Sequence, residues 1–278
     1  MDTRLLRTLL VLARTGNFTA TAAELHLVQS TVTSQVKALE QLLGARLFDR
    51  LPGGTRLTSA GARAVEHARD VLAAEQRLRD AVRGAQAIEG DVRIGAPESV
   101  CAYRLPPLVA ELAQRWPGVT VHLTPIGTRG ALAGVRSGTL DLALVLEDSA
   151  PSTALSAVAI GVEPVDLVAA PGHPDEGRYF LLEEGCSYSD RFARDLPGHP
   201  TRFGSIEAAR SCVVAGLGLS VLPRASVADQ LAAGTLRQVA ALPDSTLFLV
   251  TDPRRTPSAA ARVVGEALAG PIPTSTRT

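Results

Sequence analysis

The chain has 278 residues, 46% of them hydrophobic and 20% charged, which supports two domains or three lobes with ordinary cores and excludes global disorder. Basic and acidic residues both number 28 and there are three cysteines, so a histone-like basic protein, an acidic tail protein and a disulfide scaffold are all excluded. No apolar run reaches the ~18 residues needed to span a bilayer, and the N-terminus enters an amphipathic pattern rather than a long apolar signal region, so a cytoplasmic protein with no membrane partner is expected.

In chain order, Leu5, Leu9 and Leu12, flanked by Leu6, Leu10 and Ala13, recur at helical spacing over about 3–14. Gly16 stops this helix, and Asn17 or Thr19 caps a short second one ending at Glu24. After a break at 25–28, Gln29-Ser30 forms an N-cap region for a third helix that runs to about Leu43 and closes at Gly44. Val32, Val36 and Leu39 face inward, which leaves Ser30, Thr31, Thr33, Ser34 and Lys37 outside. Pro52-Gly53-Gly54, within 46–57, predicts a tight turn between two short strands. Thr58 or Ser59 caps a long helix over about 59–86. Its Ala64/Val65, Ala68, Val71/Leu72, Leu78 and Val82 form a near-heptad seam suited to dimerisation; the alternative is a helix packed on its own domain.

From Asp91 strands and helices alternate. Strands are expected at 92–95, 119–123, 140–146, 165–170, 180–182, 219–222 and 247–250. Helices are expected at 104–116, 130–137, 206–215, 225–233 and 259–268, implying a largely parallel sheet in two halves with a cleft between them. Charge divides along the same line. Residues 1–88 carry twelve basic and eight acidic side chains, a net of +4, and the rest a net of −4, which fits an anionic partner for the N-terminus.

The 18–37 stretch has the helix-turn-helix arrangement, with the small Ala22-Ala23 pair allowing close approach. Hydroxyls, Gln29 and Lys37 on the second helix are groups that bond base edges and phosphates in a major groove. A plain three-helix cluster with a solvated face has the same periodicity.

Four segments narrow this choice: Asn17-Phe18-Thr19-Ala20-Thr21-Ala22-Ala23-Glu24-Leu25, the run from Gln29 to Glu40, Leu47-Phe48-Asp49-Arg50, and Leu57-Thr58-Ser59-Ala60-Gly61. Together they resemble the winged helix-turn-helix of LysR-type transcriptional regulators. Gly138-Thr139-Leu140-Asp141-Leu142-Ala143 and the run from Gly216 to Pro223 resemble later signatures of that family. The fold class implied is α/β: an N-terminal all-α winged helix-turn-helix (1–58), a long dimerising linker helix (59–88) and a two-lobed, periplasmic-binding-protein-like effector domain (91–270), with a frayed tail at 271–278.

The function implied is that of a DNA-binding regulator, not an enzyme, which forms a homodimer or homotetramer on double-stranded DNA and answers to a small-molecule effector without any cofactor. Carried over residue by residue, Gln29, Ser30, Thr31, Thr33 and Ser34 would face bases and phosphates and Lys37 the backbone. Arg50 and Arg56 would reach phosphates or the minor groove. Asn17, Thr33 and Gly53 depart from the family's usual residues. The effector would meet Pro97, Glu98, Ser99, Val100 and Cys101, Thr128 and Arg129, Glu147, and Phe203 and Gly204. Arg129 or Arg202 would pair with a carboxylate, and an inward Glu98 would disfavour a strongly anionic ligand. Cys186 lies in a Gly-Cys-x-Tyr element whose usual arginine is replaced by Ser189, which argues against a primed redox thiol.

Two other classes compete. A solute-binding receptor would not need the N-terminal module. An α/β enzyme would need a Gly-x-Gly-x-x-Gly after the first strand, a P-loop, a metal cluster or a Gly-x-Ser-x-Gly elbow, and none is present.

Overall fold

The computed structural model describes residues 2–51, 54–83, 88–151, 153–196 and 200–270. The chain separates into two compact units, 1–86 and 87–278.

The first unit is a helix cluster with a two-stranded wing. Helix α1 (Thr3–Thr15) is capped by the Asp2 carboxylate, which accepts from the Arg4 N–H, and Gly16 ends it in the left-handed region. Helix α2 (Phe18–Glu24) is capped by Asn17, whose Oδ1 accepts from the N–H groups of Thr19 and Ala20 at 2.8 and 3.1 Å. Helix α3 (Gln29–Leu43) starts one residue before the expected cap: Val28 holds the N-cap position and gives no side-chain bond. Strands β1 (Phe48–Leu51) and β2 (Gly54–Leu57) pair antiparallel. Glu40 ties this wing to α3 by accepting from the N–H of Leu47 at 2.7 Å.

Thr58 caps helix α4 (Ser59–Arg83), accepting from the Gly61 N–H at 2.9 Å and donating to the Arg46 carbonyl at 2.7 Å. A Cβ at Gly61 would lie 2.1 Å from the Leu47 carbonyl oxygen, so the sequence needs glycine where α4 crosses the wing. The core is Leu6, Leu9, Leu12, Val36, Leu39, Leu47 and Phe48, joined by Val65 and Ala68 of α4. The expected seam on α4 is thus divided. Val65 and Ala68 belong to their own unit's core, whereas Val71 and Leu78 stay 39% and 66% exposed. Val82 lies outside the described side chains.

The second unit is one eight-stranded sheet with helices on its faces. Strands β3 (Glu89–Ala96), β4 (Gly118–Pro125) and β5 (Leu142–Glu147) are mutually parallel and, with helices α5 (Leu105–Arg115), α6 (Thr128–Ser137) and α10 (Ala259–Ala269), form the first lobe. Strands β7 (Tyr179–Leu182), β8 (Thr201–Phe203) and β9 (Leu219–Pro223) are also parallel and, with α7 (Ser187–Ala193), α8 (Ile206–Val214) and α9 (Arg224–Ala232), form the second. Two long strands, β6 (Ser156–Ala169) and β10 (Arg237–Thr251), run antiparallel to each other and join the lobes, giving the order β4-β3-β5-β10-β6-β9-β7-β8. The sheet is therefore mixed, parallel within each lobe and antiparallel at the crossing.

Residues 156–164 and 237–246, to which no element was assigned from the sequence, are strand, and α7 and β8 were not expected. Residues 100–104 form one turn of π-helix that continues the helical residues 98 and 99, a local widening that often marks functional sites. The 271–278 tail lies outside the described residues. Among the described residues no helix is long and apolar enough to cross a membrane.

Candidate functional site

On α3, Val32, Val36 and Leu39 are buried, so the opposite face is turned to solvent. Gln29, Ser30, Ser34 and Lys37 are exposed, and Thr31 and Thr33 half-buried. Two of these groups are partly engaged: Gln29 accepts from the Thr19 hydroxyl at 3.4 Å, and the Thr33 hydroxyl donates to the Gln29 carbonyl at 3.0 Å. Arg56 projects, exposed, from β2. Arg50 lies on β1, opposite Thr55, and its side chain falls outside the description, as do Pro52 and Gly53 of the turn. The wing is held to the turn between α1 and α2 by the Thr55 N–H, which donates to the Gly16 carbonyl at 2.8 Å.

Between the lobes of the second unit lies a cleft of about 510 Å³, within the range of small-molecule sites. The first-lobe wall is Pro97, Glu98 and Ser99 from the end of β3, Gly127 to Gly130 at the start of α6, and Leu146 at the end of β5. The second-lobe wall is the 182–188 segment with Gly204 and Ile206. Of the residues expected here, Pro97, Glu98, Ser99, Thr128, Arg129 and Gly204 line the cleft.

The others do not, each for a packing reason. Val100 begins the π-turn and points into the core at 1% exposure. Cys101 packs on the same core and its thiol donates to the Ala96 carbonyl. Phe203 stacks obliquely on Phe180, with ring centroids 5.6 Å apart. Glu147 stands behind the wall, where the Thr128 hydroxyl bonds it; burial pushes its carboxyl up, and that bond partly opposes the shift.

Within the wall, Ser99 is 2% exposed and its Oγ has no hydrogen-bond partner among the described residues. Glu98 reaches across the cleft to the second lobe. Its carboxylate accepts from the Ile206 N–H at 2.9 Å and from the Ser205 hydroxyl at 3.3 Å, so it caps α8 in place of Ser205, which makes no cap bond of its own. Glu98 does face the cleft, as expected, but its charge is already answered by a helix N-terminus. The lobes are further joined by the Ser187 hydroxyl, which donates to the Leu146 carbonyl at 2.6 Å. Arg202 is not available to a ligand: it donates to the Leu182 carbonyl at 2.8 Å and pairs with Asp190 at 2.7 Å. Arg129 is exposed, and no carboxylate pairs with it among the described residues.

Cys186 lines the cleft. Burial raises its thiol above the ordinary range, and burial pushes Cys101 up to about 11. All three cysteines are unpaired. Among the described residues, no cluster of three or more His, Cys, Asp or Glu side chains is placed to hold a metal.

The second-lobe segment 182–188 is the part of the site that sequence reasoning missed. Its signal was present in Glu183-Glu184-Gly185-Cys186-Ser187, two acids before a turn and a hydroxyl, but that stretch drew attention only for its thiol.

Comparison with known proteins covers both units. The family pattern described as bacterial regulatory helix-turn-helix protein, lysR family, matches residues 3–62, and that described as LysR substrate binding domain matches 85–270. The HTH-type transcriptional regulator YwqM of Bacillus subtilis is 34% identical over 89% of this chain and 91% of its own length. A probable hydrogen peroxide-inducible genes activator of Mycobacterium avium is 31% identical over 80% of this chain and 78% of its own. A full-length OxyR variant from Pseudomonas aeruginosa superposes with a TM-score of 0.74 at 26% identity, covering 97% of this chain and 93% of that one. The chain belongs to the LysR family of bacterial transcriptional regulators. It is a DNA-binding regulator with an effector-binding domain, and its relatives are regulators rather than enzymes.

Proposed function

We propose that this regulator reads double-stranded DNA with α3, places the wing on the flanking backbone, and changes its arrangement on DNA when a small molecule occupies the cleft between the lobes. The carrying observation is the Ser99 hydroxyl: it is buried in the cleft wall without a partner among the described residues, and buried polar groups are normally satisfied. Gln29, Ser30, Thr31, Thr33 and Ser34 contact bases and phosphates, and Lys37, Arg50 and Arg56 contact the DNA backbone. Pro97, Glu98, Ser99, Thr128, Arg129 and Gly204 form the effector site, with Glu147 supporting Thr128. Val71 and Leu78 on α4 supply the apolar face of a homodimer, which pairs further into a tetramer, and the protein works in the cytoplasm. The effector regulates only by binding one DNA-bound arrangement better than another.

Footprinting of the full-length protein on DNA flanking its own gene, with and without a metabolite extract, tests this reading. The expected result is protection at half-sites roughly 10–10.5 base pairs apart, or multiples of that, with a pattern that shifts in the extract. No protection on any fragment at low salt would defeat the DNA assignment; protection insensitive to every extract fraction would defeat the effector assignment.

A further inference from the structure

Apart from the Glu98 carboxylate, which is spent on the start of α8, the first-lobe wall offers the Arg129 cation and the second-lobe wall the Glu183 and Glu184 carboxylates, and the anion-binding end of the second lobe is already filled. On the first-lobe side α6 begins at Thr128 without a side-chain cap, so the positive end of a ten-residue helix meets the cleft beside Arg129. A helix terminus alone is not a site. Here the nearby Ser99, 2% exposed and in the same wall, adds a hydroxyl whose Oγ has no partner among the described residues. A ligand oxygen would satisfy it.

The second-lobe wall presents Glu183 and Glu184, both exposed and without an ion pair among the described residues. Arg202, which would otherwise neutralise that wall, is committed to Asp190 and to the Leu182 carbonyl. The N-terminus of α8 would be the place for an anion on this lobe, but the Glu98 carboxylate already occupies it.

We infer that the effector is a small zwitterion, with one carboxylate and one ammonium group in the manner of a free α-amino acid. Its carboxylate meets Ser99 and the first turn of α6 beside Arg129, and its ammonium meets Glu183 and Glu184. The inference rests on the reading of the cleft as the effector site. A dianion would set its second charge against Glu183 and Glu184, and a simple amine would leave Arg129 and Ser99 unanswered. Because each end of the zwitterion is held by a different lobe, binding draws the lobes together across β6 and β10.

The test is calorimetry on the full-length protein with each of the proteinogenic L-amino acids, followed for every binder by its methyl ester and its N-acetyl derivative. Succinate and putrescine serve as probes of one charge sign. At least one amino acid should bind, and removing either charge should weaken it about tenfold or more, each tenfold step being about 1.4 kcal/mol. Arg129→Met should weaken the amino acid and its N-acetyl derivative but have little effect on the ester. Glu183→Gln with Glu184→Gln should weaken the amino acid and the ester but spare the N-acetyl form. Circular dichroism confirms that both variants are folded.

If no amino acid binds, or if a binder tolerates loss of either charge, the inference is overturned. In that case binding of succinate, putrescine or an extract fraction leaves the cleft as the effector site with another ligand class. A protein that binds none of these, with a footprint unmoved by any extract fraction, fails on both counts.

Discussion

Thr31 and Ser34 lie at i and i+3 on α3, so both sit on the face turned away from the core. Among the described residues neither hydroxyl has a competing intramolecular bond, whereas the Thr33 hydroxyl donates to the Gln29 carbonyl. Replacing Thr31 and Ser34 together by alanine should cost specific binding ~1–3 kcal/mol for each base-edge hydrogen bond removed and leave non-specific binding nearly unchanged. Titrations on operator against random DNA check this, and an unaltered preference would move base reading to other side chains. Thr33→Ala should cost less.

The thiols follow the opposite logic. A thiol raised to about 11 is only about 0.1% thiolate at pH 8, so Cys101 is a poor nucleophile there, and burial holds back Cys186 in the same direction. Similarity to a peroxide-inducible activator therefore does not bring a primed thiol with it. Treatment with dilute hydrogen peroxide at pH 7–8 should leave all three cysteines titratable by a thiol reagent under denaturing conditions. Loss of two of them together, with a changed footprint, would restore a disulfide switch. Most of the first-lobe wall was legible in the sequence because it is the short loop after β3 and the first turn of α6. Val100 and Phe203 were misplaced because the π-turn and the end of β8 direct their side chains into packed apolar neighbours, and that depends on tertiary contacts.

At the scale of elements, α4 shows how one periodic pattern serves two partners. Val65 and Ala68 complete the core of their own unit, and Glu75 pins α1 to the helix by accepting from Thr3 at 3.1 Å and pairing with Arg7 at 3.1 Å. On either side of that contact Val71 and Leu78, seven residues apart, remain exposed. Leu78→Glu should therefore weaken self-association by about tenfold or more, which is about 1.4 kcal/mol or more, while the protomer stays folded. Val65→Glu should unfold the first unit, since it buries a charge among leucines. Sedimentation equilibrium and thermal unfolding separate the two effects, and a Leu78→Glu protein that still dimerises would place the interface elsewhere.

Within the two long crossing strands, only the halves buried on both faces were legible. Residues 165–169 of β6, apolar except for Asp166, and the continuous apolar run 247–250 of β10 were recognised. The preceding halves, through which the lobes are joined, are largely half-buried or exposed and carry no such signal. Helix α7 has seven residues with no apolar period and was invisible for the same reason. The Gly216–Pro223 signature, by contrast, has a steric origin: a Cβ at Gly218 would lie 2.2 Å from the Arg178 carbonyl, where β9 enters the sheet beside β7.

At the scale of the whole molecule, a net charge of zero conceals a division that matters for DNA. The first 88 residues hold a net of +4, and the effector domain that follows holds the balancing −4. The salt dependence of binding therefore belongs to the N-terminal unit, since only cations placed at phosphates release counterions. Arg56, exposed on the second strand of the wing, is the cation proposed for such a contact. Arg56→Ala should weaken binding by a similar factor on every sequence and lower the slope of log K against log salt by about one. Arg262→Ala removes an equally exposed cation from α10 of the effector domain and should leave that slope unchanged, although the net charge of the chain falls by the same amount. Equal slopes for both variants would mean that overall charge governs association, and a deficit confined to one base pair with Arg56→Ala would mean that the wing reads sequence in the minor groove. If the slope changes only with Arg56, the acidic effector domain stays clear of the DNA phosphates, and the cleft signals through the arrangement of protomers and not through its own charge.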